Sequence, residues 1–454
     1  MRRFLLPVLL LAGCAVPIPK PDTAVAVPAY LPNVQVNAAP LPTAWWQMFG
    51  NPELDALVAS GLAANPTIGE AQAALSAAAE NAAANNGAFL PQIQFNPPGQ
   101  SLLSRQSYPT GPNGYPPYTI FSLTGSISYD PGLFGVRKYT FENGRALADY
   151  QGAELEAARQ SLIGNITNAA ITEAGAKAQI ATTQRIIAAE QHLLTLLNGE
   201  YAMGAIPQLN VLQQQSQVLA TEATLPPLQT QAEQQRDRLA ILTGTPPADF
   251  SADNLTLDGL VAPANVPVSI PSIYLQRRPD LRAALAQVAA QNADYGLAVA
   301  HLYPDFSLSA TGGYAAETLS TLFGTSSALW ILVANLTAPI YEGGTLHARK
   351  NAAEAQLHEA IFAYREAVLS AFGEAADALQ AVQNDQTALA RAQAAADTAI
   401  AAYRLGSAQF RLGAVDYTTV LNAQEVAAQQ ALNLDQSRTN LLLDIARLQS
   451  VMAE

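Results

Sequence analysis

The chain is poor in the residue types on which catalysis and nucleic-acid binding depend. Its 454 residues include one cysteine and four histidines, and only 13% of them are charged. A single thiol cannot form a disulfide within the chain, and a formal net charge of −13 argues against nucleic acid, whose phosphates attract basic surfaces. A phosphate-binding loop and a Gly-x-Ser-x-Gly elbow are also missing from the sequence. We therefore expect neither an enzyme nor a bound metal or other cofactor.

The amino terminus has the features of a targeting segment. Two arginines precede an apolar run at residues 4–11, which is far too short to span a bilayer as a helix. The run leads into Leu11-Ala12-Gly13-Cys14, which resembles a bacterial lipoprotein signal. We predict a signal peptide at 1–13 and a diacylglycerol and a fatty acyl chain on Cys14. The alternative is an ordinary secretory signal followed by an incidental buried cysteine.

A proline-rich segment follows the cysteine. Residues 15–44 contain seven prolines, so this part of the chain should be extended, with a reach of about 3.1 Å per residue. We predict a lipid-anchored extended strap at 14–50. The apolar stretch Trp45–Phe49 is the expected point at which the strap docks.

The rest of the chain describes one arrangement twice. Leu412-Gly413-Ala414-Val415, followed by Val420-Leu421, echoes Met203-Gly204-Ala205-Ile206, followed by Val211-Leu212. The two glycines are 413 − 204 = 209 residues apart, which is nearly half of the chain. We predict a first repeat at 51–243, a linker at 244–276 and a second repeat at 277–454.

Each repeat contains one very long helical pattern, at about 141–201 and 345–411, without proline. A helix of some sixty residues is on the order of 95 Å long. Ordinary globular helices have 8 to 20 residues, so this length predicts an assembly that resembles a coiled coil. Pro226-Pro227 should interrupt the helix that follows the first turn.

Each repeat also contains segments that predict strands, at about 91–97, 119–130, 304–314 and 328–338. The first three alternate in polarity, whereas the last is apolar with a less clean alternation. Apolar Phe121, Leu123 and Ile127, for example, alternate with serine and threonine. Alternation over about ten residues is typical of a strand that crosses a membrane, although a half-buried soluble hairpin has the same pattern.

Four strands cannot close a barrel by themselves, and an open sheet edge is not tolerated in lipid. If the strands span a membrane, the chain must therefore form an oligomer. A dimer would supply eight strands with an interior filled by side chains, whereas a trimer would supply twelve with room for water.

Several motifs together carry a family resemblance. They are Trp45-Trp46 with Phe49, Arg277-Arg278-Pro279-Asp280-Leu281-Arg282, Pro339-Ile340-Tyr341-Glu342-Gly343-Gly344, and Leu412–Tyr417 with Val420–Gln424. With the lipoprotein signal, they make the chain resemble TolC-type outer-membrane factors, in particular the NodT-like efflux lipoproteins.

This resemblance implies an α+β membrane channel, in which a long α-helical periplasmic barrel is continuous with a transmembrane β-barrel built from four strands per protomer. It implies a homotrimer, lipid-anchored in the bacterial outer membrane, that works with a periplasmic adaptor protein and an inner-membrane pump. The implied function is an exit duct that passively exports small molecules such as drugs. The alternatives are a type I secretion duct for proteins and a structural lipoprotein without a channel.

The resemblance also implies acidic residues that narrow the periplasmic tip of the channel. The matching positions of this sequence hold Thr419 and Asn422, whereas Asp416 lies closer to the turn. We therefore predict an aperture at Asp416 and Asn422. The alternative role for Asp416 is a helix N-cap.

The lipid anchor can be tested at its attachment point. Cys14→Ser should abolish acylation, because only the thiol can form the thioether to diacylglycerol. Mass spectrometry of the amino-terminal peptide measures this directly. An uncleaved, unmodified amino terminus in the wild-type protein would contradict the prediction.

Overall fold

A computed structural model of the chain describes residues 15–25, 44–96, 104–108, 118–252, 254–263 and 277–452. The predicted signal peptide, Cys14 and the middle of the strap lie outside these residues, as does much of the predicted linker. The chain forms two compact units, each made of three segments. The sheet unit comprises 1–24, 73–152 and 283–366, and the helical unit comprises 25–72, 153–282 and 367–454. Each unit thus draws on both sequence repeats.

The described residues contain eight α-helices, two of which are exceptionally long. α3 and α7 have 67 residues each, or about 100 Å at the rise of an α-helix, so the predicted long helices are confirmed. None of the helices in the described part of the chain has the length and apolar character that crossing a bilayer requires. The helices are α1 Pro52–Ala64, α2 Pro66–Gly87, α3 Val136–Ala202, α4 Gln208–Glu222, α5 Leu225–Leu242, α6 Pro279–Ala300, α7 Thr345–Arg411 and α8 Tyr417–Met452.

Local sequence explains where the shorter helices begin. Asn51 caps α1, since its Oδ1 accepts hydrogen bonds from the amides of Glu53 (2.9 Å) and Leu54 (3.0 Å), and a proline occupies the first helical position. The predicted interruption near Pro226-Pro227 is present, because α4 ends at Glu222 and both prolines lie in the first turn of α5.

The sheet unit contains an antiparallel sheet of five strands, in the order β1-β3-β4-β5. The strands are β1 Gln92–Asn96, β2 Ser104–Tyr108, β3 Tyr118–Tyr129, β4 Asp305–Ala316 and β5 Ala328–Thr337. β1 pairs with Thr124–Ser128 of β3, and β2 pairs with Tyr118–Ser122 of the same strand. The prediction of four strands per protomer is therefore wrong in number, since the first edge is divided into two strands. At the level of β1, however, the sheet is four strands wide, because Thr124–Ser128 of β3 pair with β1 on one side and with β4 on the other, and this part of β4 pairs with β5.

Across β1, β3 and β4 the register gives the sheet one apolar face and one polar face, because side chains alternate along a strand and paired residues share a face. β5 carries apolar side chains on both faces, since Ile331 pairs with Thr311 and Val333 with Ser309. The polar face carries Gln94, Ser122, Thr124, Ser128, Ser309 and Thr311. The apolar face carries Ile93, Phe95, Leu123, Gly125, Ile127, Tyr129, Leu308, Ala310, Gly312, Tyr314, Trp330 and Leu332. Several of the large apolar side chains are exposed within the protomer, with Trp330 at 81% and Ile93 at 78%.

The first described residues, Ala15–Val25, pack onto the sheet unit. The amide of Val16 donates to the carbonyl of Phe134 (3.2 Å), and the hydroxyl of Tyr139 donates to the carbonyl of Val16. Ile18 packs against a buried cluster that includes Tyr295 of α6 and Leu357 of α7. Arg365 donates to the carbonyl of Asp22 at 2.9 Å.

Small residues bring the helices of the helical unit close together. A Cβ atom added to Gly175 of α3 would lie 2.5 Å from Oγ1 of Thr439 on α8. Thr439 is buried, and its hydroxyl donates to the carbonyl of Asp435 (2.8 Å), so it cannot easily move away. Trp45 and Phe49, the predicted docking point of the strap, are almost completely buried in the same unit.

This close contact predicts opposite effects for one substitution at two glycines. Gly175→Ala should destabilise the protein by about 1–3 kcal/mol, because the added methyl overpacks the contact with Thr439. Gly199→Ala lies in the same helix with nothing within 4 Å of the added atom, so it should stabilise the protein by about 0.5–1 kcal/mol. Thermal unfolding in detergent, followed by circular dichroism, measures both. Equal shifts in the two variants would refute the packing argument.

Candidate aperture at the two helical turns

Two turns of the same geometry connect long helices with shorter ones in the helical unit. In the first, the amide of Gly204 bonds to the carbonyl of Tyr201 (2.9 Å) and that of Ala205 to Glu200 (2.9 Å). In the second, the amide of Gly413 donates to the carbonyl of Phe410 (2.8 Å), and the amide of Ala414 donates to the carbonyl of Gln409 (2.9 Å). This is the Schellman motif. It requires a left-handed residue, and the two glycines supply it with φ of +74° and +69°.

The two turns share a hydrophobic core. Leu197 of α3, Val211 of α4 and Tyr417 of α8 are buried together. The ring of Phe410 lies edge-on to that of Tyr417, with centroids 6.2 Å apart. The echo between the two repeats in the sequence therefore corresponds to two turns that pack side by side.

Asp416 is the N-cap of α8. Its Oδ1 accepts a hydrogen bond from the amide of Thr419 (2.8 Å) and another from the hydroxyl of Thr419 (2.6 Å). These bonds to Thr419 hold the pKa of the Asp416 carboxyl below its usual range, and the side chain is exposed. The equivalent position of the first repeat is Pro207, which offers no side-chain cap. Only the second turn thus carries a carboxylate at this place.

Asn422, the second predicted aperture residue, is exposed on α8. It lies six residues beyond Asp416, which is about 9 Å along the helix axis. The two side chains do not hydrogen-bond to each other, so within one protomer they do not form a joint site. Their assignment to the aperture remains a prediction.

A buried polar network next to the turns was not predicted from the sequence. Glu190 of α3 is fully buried, and its Oε1 accepts hydrogen bonds from the side chains of Thr221 (3.1 Å) and Gln217 (3.4 Å) of α4. Burial raises the pKa of Glu190, and the bonds from Thr221 and Gln217 partly offset this. Polar residues are frequent throughout these helices, and nothing in their order singles out Glu190 as buried.

Tyr417 extends this network to α8. Its hydroxyl donates to Oε1 of Gln214 (2.6 Å), and Nε2 of Gln214 donates to the backbone carbonyl of Glu190 (3.1 Å). Burial raises the pKa of the Tyr417 phenol, and the nearby carboxyl groups of Glu425 and Glu190 raise it further. The start of α8 is thus tied to α4 and, through α4, to α3.

Large apolar side chains are exposed around the turns. Met203 is 78% exposed and Leu412 is 84% exposed, and both lie in the turns themselves. Leu209 and Leu212 on α4 and Leu405 on α7 are also more than half exposed. Clustered exposed apolar residues of this kind mark a surface for interaction with another protein.

Comparison with known proteins identifies the family to which this architecture belongs. The family model described as outer membrane efflux protein matches residues 57–245 and 270–454. The chain belongs to the outer membrane efflux protein family. The predicted relationship to outer-membrane factors is thereby confirmed, and so is the location of this efflux protein in the outer membrane.

Individual relatives of this efflux protein match almost all of the chain. The pyoverdine export outer membrane protein OpmQ of Pseudomonas aeruginosa is 30% identical over 97% of this chain and 93% of its own length. Nodulation protein T of Rhizobium leguminosarum bv. trifolii is 26% identical over 92% of this chain and 89% of its own. The solved structure of the outer-membrane channel OprN has a TM-score of 0.88 at 24% identity, and covers 97% of this chain and 98% of that one. The predicted fold class of a membrane channel is confirmed.

The charge of Asp416 provides a test of the predicted aperture. Asp416→Ala and Asp416→Asn should both raise single-channel conductance in planar bilayers. Both variants remove the carboxylate charge, which interacts with passing ions at the predicted constriction. Asparagine is also a good N-cap, so the second variant separates charge from capping. Since the pKa of Asp416 is lowered, the wild-type charge persists as the pH falls to the ordinary aspartate range and is lost only below it. Unchanged conductance in both variants would contradict a role in the aperture.

Proposed function

We propose that this protein is the exit duct of a tripartite efflux system and works as a homotrimer. The observation that carries the proposal is the sheet, which has an apolar face and two open edges. Among the described residues, β5 pairs only with β4, and β1 and β2 pair only with β3. Unpaired backbone groups are not tolerated in lipid, so the edge of one protomer must pair with the edge of the next.

The width of the sheet favours three protomers. Three sheets, each four strands wide at the level of β1, give a barrel of twelve strands there. The interior of an eight-stranded barrel would already be filled by side chains. The apolar face of such a barrel would contact lipid. The polar face, with Ser122, Thr124 and Ser309, would line a water-filled passage.

The proposed partners are a periplasmic adaptor and an inner-membrane pump. Exposed Met203 and Leu412 at the helical turns offer an apolar surface on which an adaptor can dock. The proposed cargo is a small molecule chosen by the pump. It is supported by the relative from Pseudomonas aeruginosa whose name specifies pyoverdine export.

The proposal also includes the lipid anchor on Cys14. Ala15, the next residue, lies against the sheet unit, and its Cβ is 3.4 Å from the place where a Cβ of Gly135 would be. A diacylglycerol together with an amide-linked chain supplies more than one lipid, which stable anchoring to a membrane requires.

Native mass spectrometry and planar-bilayer recording test the proposed duct together. The protein extracted in detergent should have the mass of three acylated chains and should produce discrete conductance steps. A mock preparation from cells that lack the protein is the control. A monomer or dimer, or a trimer without conductance, would overturn the proposal.

A further inference from the structure

The apolar face of the sheet contains a groove that runs along the strands. Its floor is formed by β3 and β4, where Gly125 pairs with Gly312 and Ile127 pairs with Ala310. Its walls are the larger side chains of the flanking strands, Ile93 and Phe95 on β1, and Trp330 and Leu332 on β5. The cavity has a volume of about 550 Å³.

The two glycines of the floor are not required by backbone geometry. Neither has a positive φ, and a Cβ added to Gly125 or Gly312 would meet its nearest neighbours only at 3.8 Å and 4.0 Å, which are ordinary contacts. Gly313, on the opposite face, differs, because its Cβ would lie 2.1 Å from the carbonyl oxygen of Leu123. Glycine weakens a strand, and it often marks the close approach of another group. At Gly125 and Gly312 the missing side chains leave the groove open.

Beyond the two ends of the groove, the apolar face continues to Tyr314 in one direction and to Tyr129 in the other. Two positions beyond Gly312, Tyr314 stands on the same face, and its ring packs against Phe323 with centroids 5.6 Å apart. In the other direction, the same face continues from Ile127 to Tyr129. Tyr129 and Ala15 together line a second recess. Tyr129 is two residues, or about 7 Å, beyond Ile127 along the strand, so the foot of the groove faces this recess.

The position of Ala15 is well fixed. Val16 is held by hydrogen bonds to Phe134 and Tyr139, and Ile18 is packed in the core of the sheet unit. A lipid anchor attached to Cys14 must therefore begin next to Ala15, at the foot of the groove. Arg137 and Lys138 line the same recess and can donate hydrogen bonds to the ester and amide carbonyls of a lipid anchor.

The dimensions of the groove suit an acyl chain. Gly125 is four residues from Tyr129, or about 14 Å along the strand. One acyl chain spans half of a hydrocarbon core of about 30 Å, which is about 15 Å. A chain that starts beside Tyr129 thus reaches the open part of the groove at Gly125 and Gly312 and ends below Tyr314.

We infer that an acyl chain attached to Cys14 lies in this groove, between β1 and β5 on the apolar face of its own protomer. This inference depends on the acylation of Cys14 that forms part of the proposed function. The anchor is then a component of the lipid-facing surface of the sheet, and it holds the strap and the sheet in a fixed relation instead of serving only as a tether.

Photocrosslinking tests the position of the chain. A benzophenone amino acid replaces Ile127 in the full-length protein, and intact cells are irradiated before the acylated protein is purified and digested. The expected product joins the β3 peptide to the lipidated amino-terminal peptide, and it runs at the mass of a monomer on a denaturing gel. The same probe at Ser128, on the polar face, and at Leu123, about 20 Å from Tyr129 along the strand, should not yield this product.

A variant that fills the groove is the matched control. Gly312→Leu adds a side chain where the glycine leaves space, and it should lower the yield of the crosslinked lipopeptide at least about fivefold. Thr311→Leu adds the same side chain on the polar face and should leave the yield unchanged. Correct assembly of both variants is checked by their native mass.

Three outcomes would overturn the inference. If Ile127 captures only free phospholipid while the amino terminus is acylated, the chain lies elsewhere and the proposed anchor stands. A lipid-mediated product of dimer mass would place the chain against the neighbouring protomer. An amino terminus without acyl groups would refute the inference and the proposed anchor together, and the mass of the intact peptide distinguishes this case from the first.

Discussion

The rule that every backbone amide and carbonyl in hydrocarbon needs a hydrogen-bond partner constrains this protein most strongly. A helix satisfies the rule within itself, whereas a sheet satisfies it only when both of its edges are paired. In the described part of the chain, this sheet has unpaired edges at β5 and at the β1–β2 side. The division of β1 from β2 fits the same constraint, since both pair with β3 and together they cover most of its length.

The elements that could be predicted from the sequence are those specified by local pattern. The long helices follow from proline-free stretches, three of the four main strands from alternation and β5 from an apolar run, and the turns at Gly204 and Gly413 from glycine at a helix end. β2 was missed because Ser104–Tyr108 has no apolar alternation, and its pairing with β3 is a long-range property. The buried Glu190 was missed for a related reason. Its partners lie about thirty residues away on another helix, and an exposed and a buried glutamate have the same local sequence signature.

The two repeats have the same backbone geometry at their helical turns but differ there in side-chain chemistry. Both turns use the same pair of hydrogen bonds around a left-handed glycine. After the first, Pro207 starts the next helix with a fixed φ and no charge, whereas Asp416 starts its counterpart with a carboxylate. Tyr417 of the second repeat donates a hydrogen bond to Gln214 of the first. The position of the first repeat that matches Tyr417 is 208, and it holds glutamine. The two turns thus share a backbone geometry, and only the second has the carboxylate and the tyrosine that hydrogen-bonds to the other repeat.

The docking of Ala15–Val25 has a consequence for the order in which the protein folds. Asp22 is bound by Arg365, which is 343 residues further along the chain. Contacts between such distant residues close large loops and therefore form late. Residues 15–25 reach their final place only after α7 has been synthesised and packed. Docking of these residues is accordingly a sign that the sheet unit is complete, and their protection from proteolysis distinguishes finished molecules from those still folding.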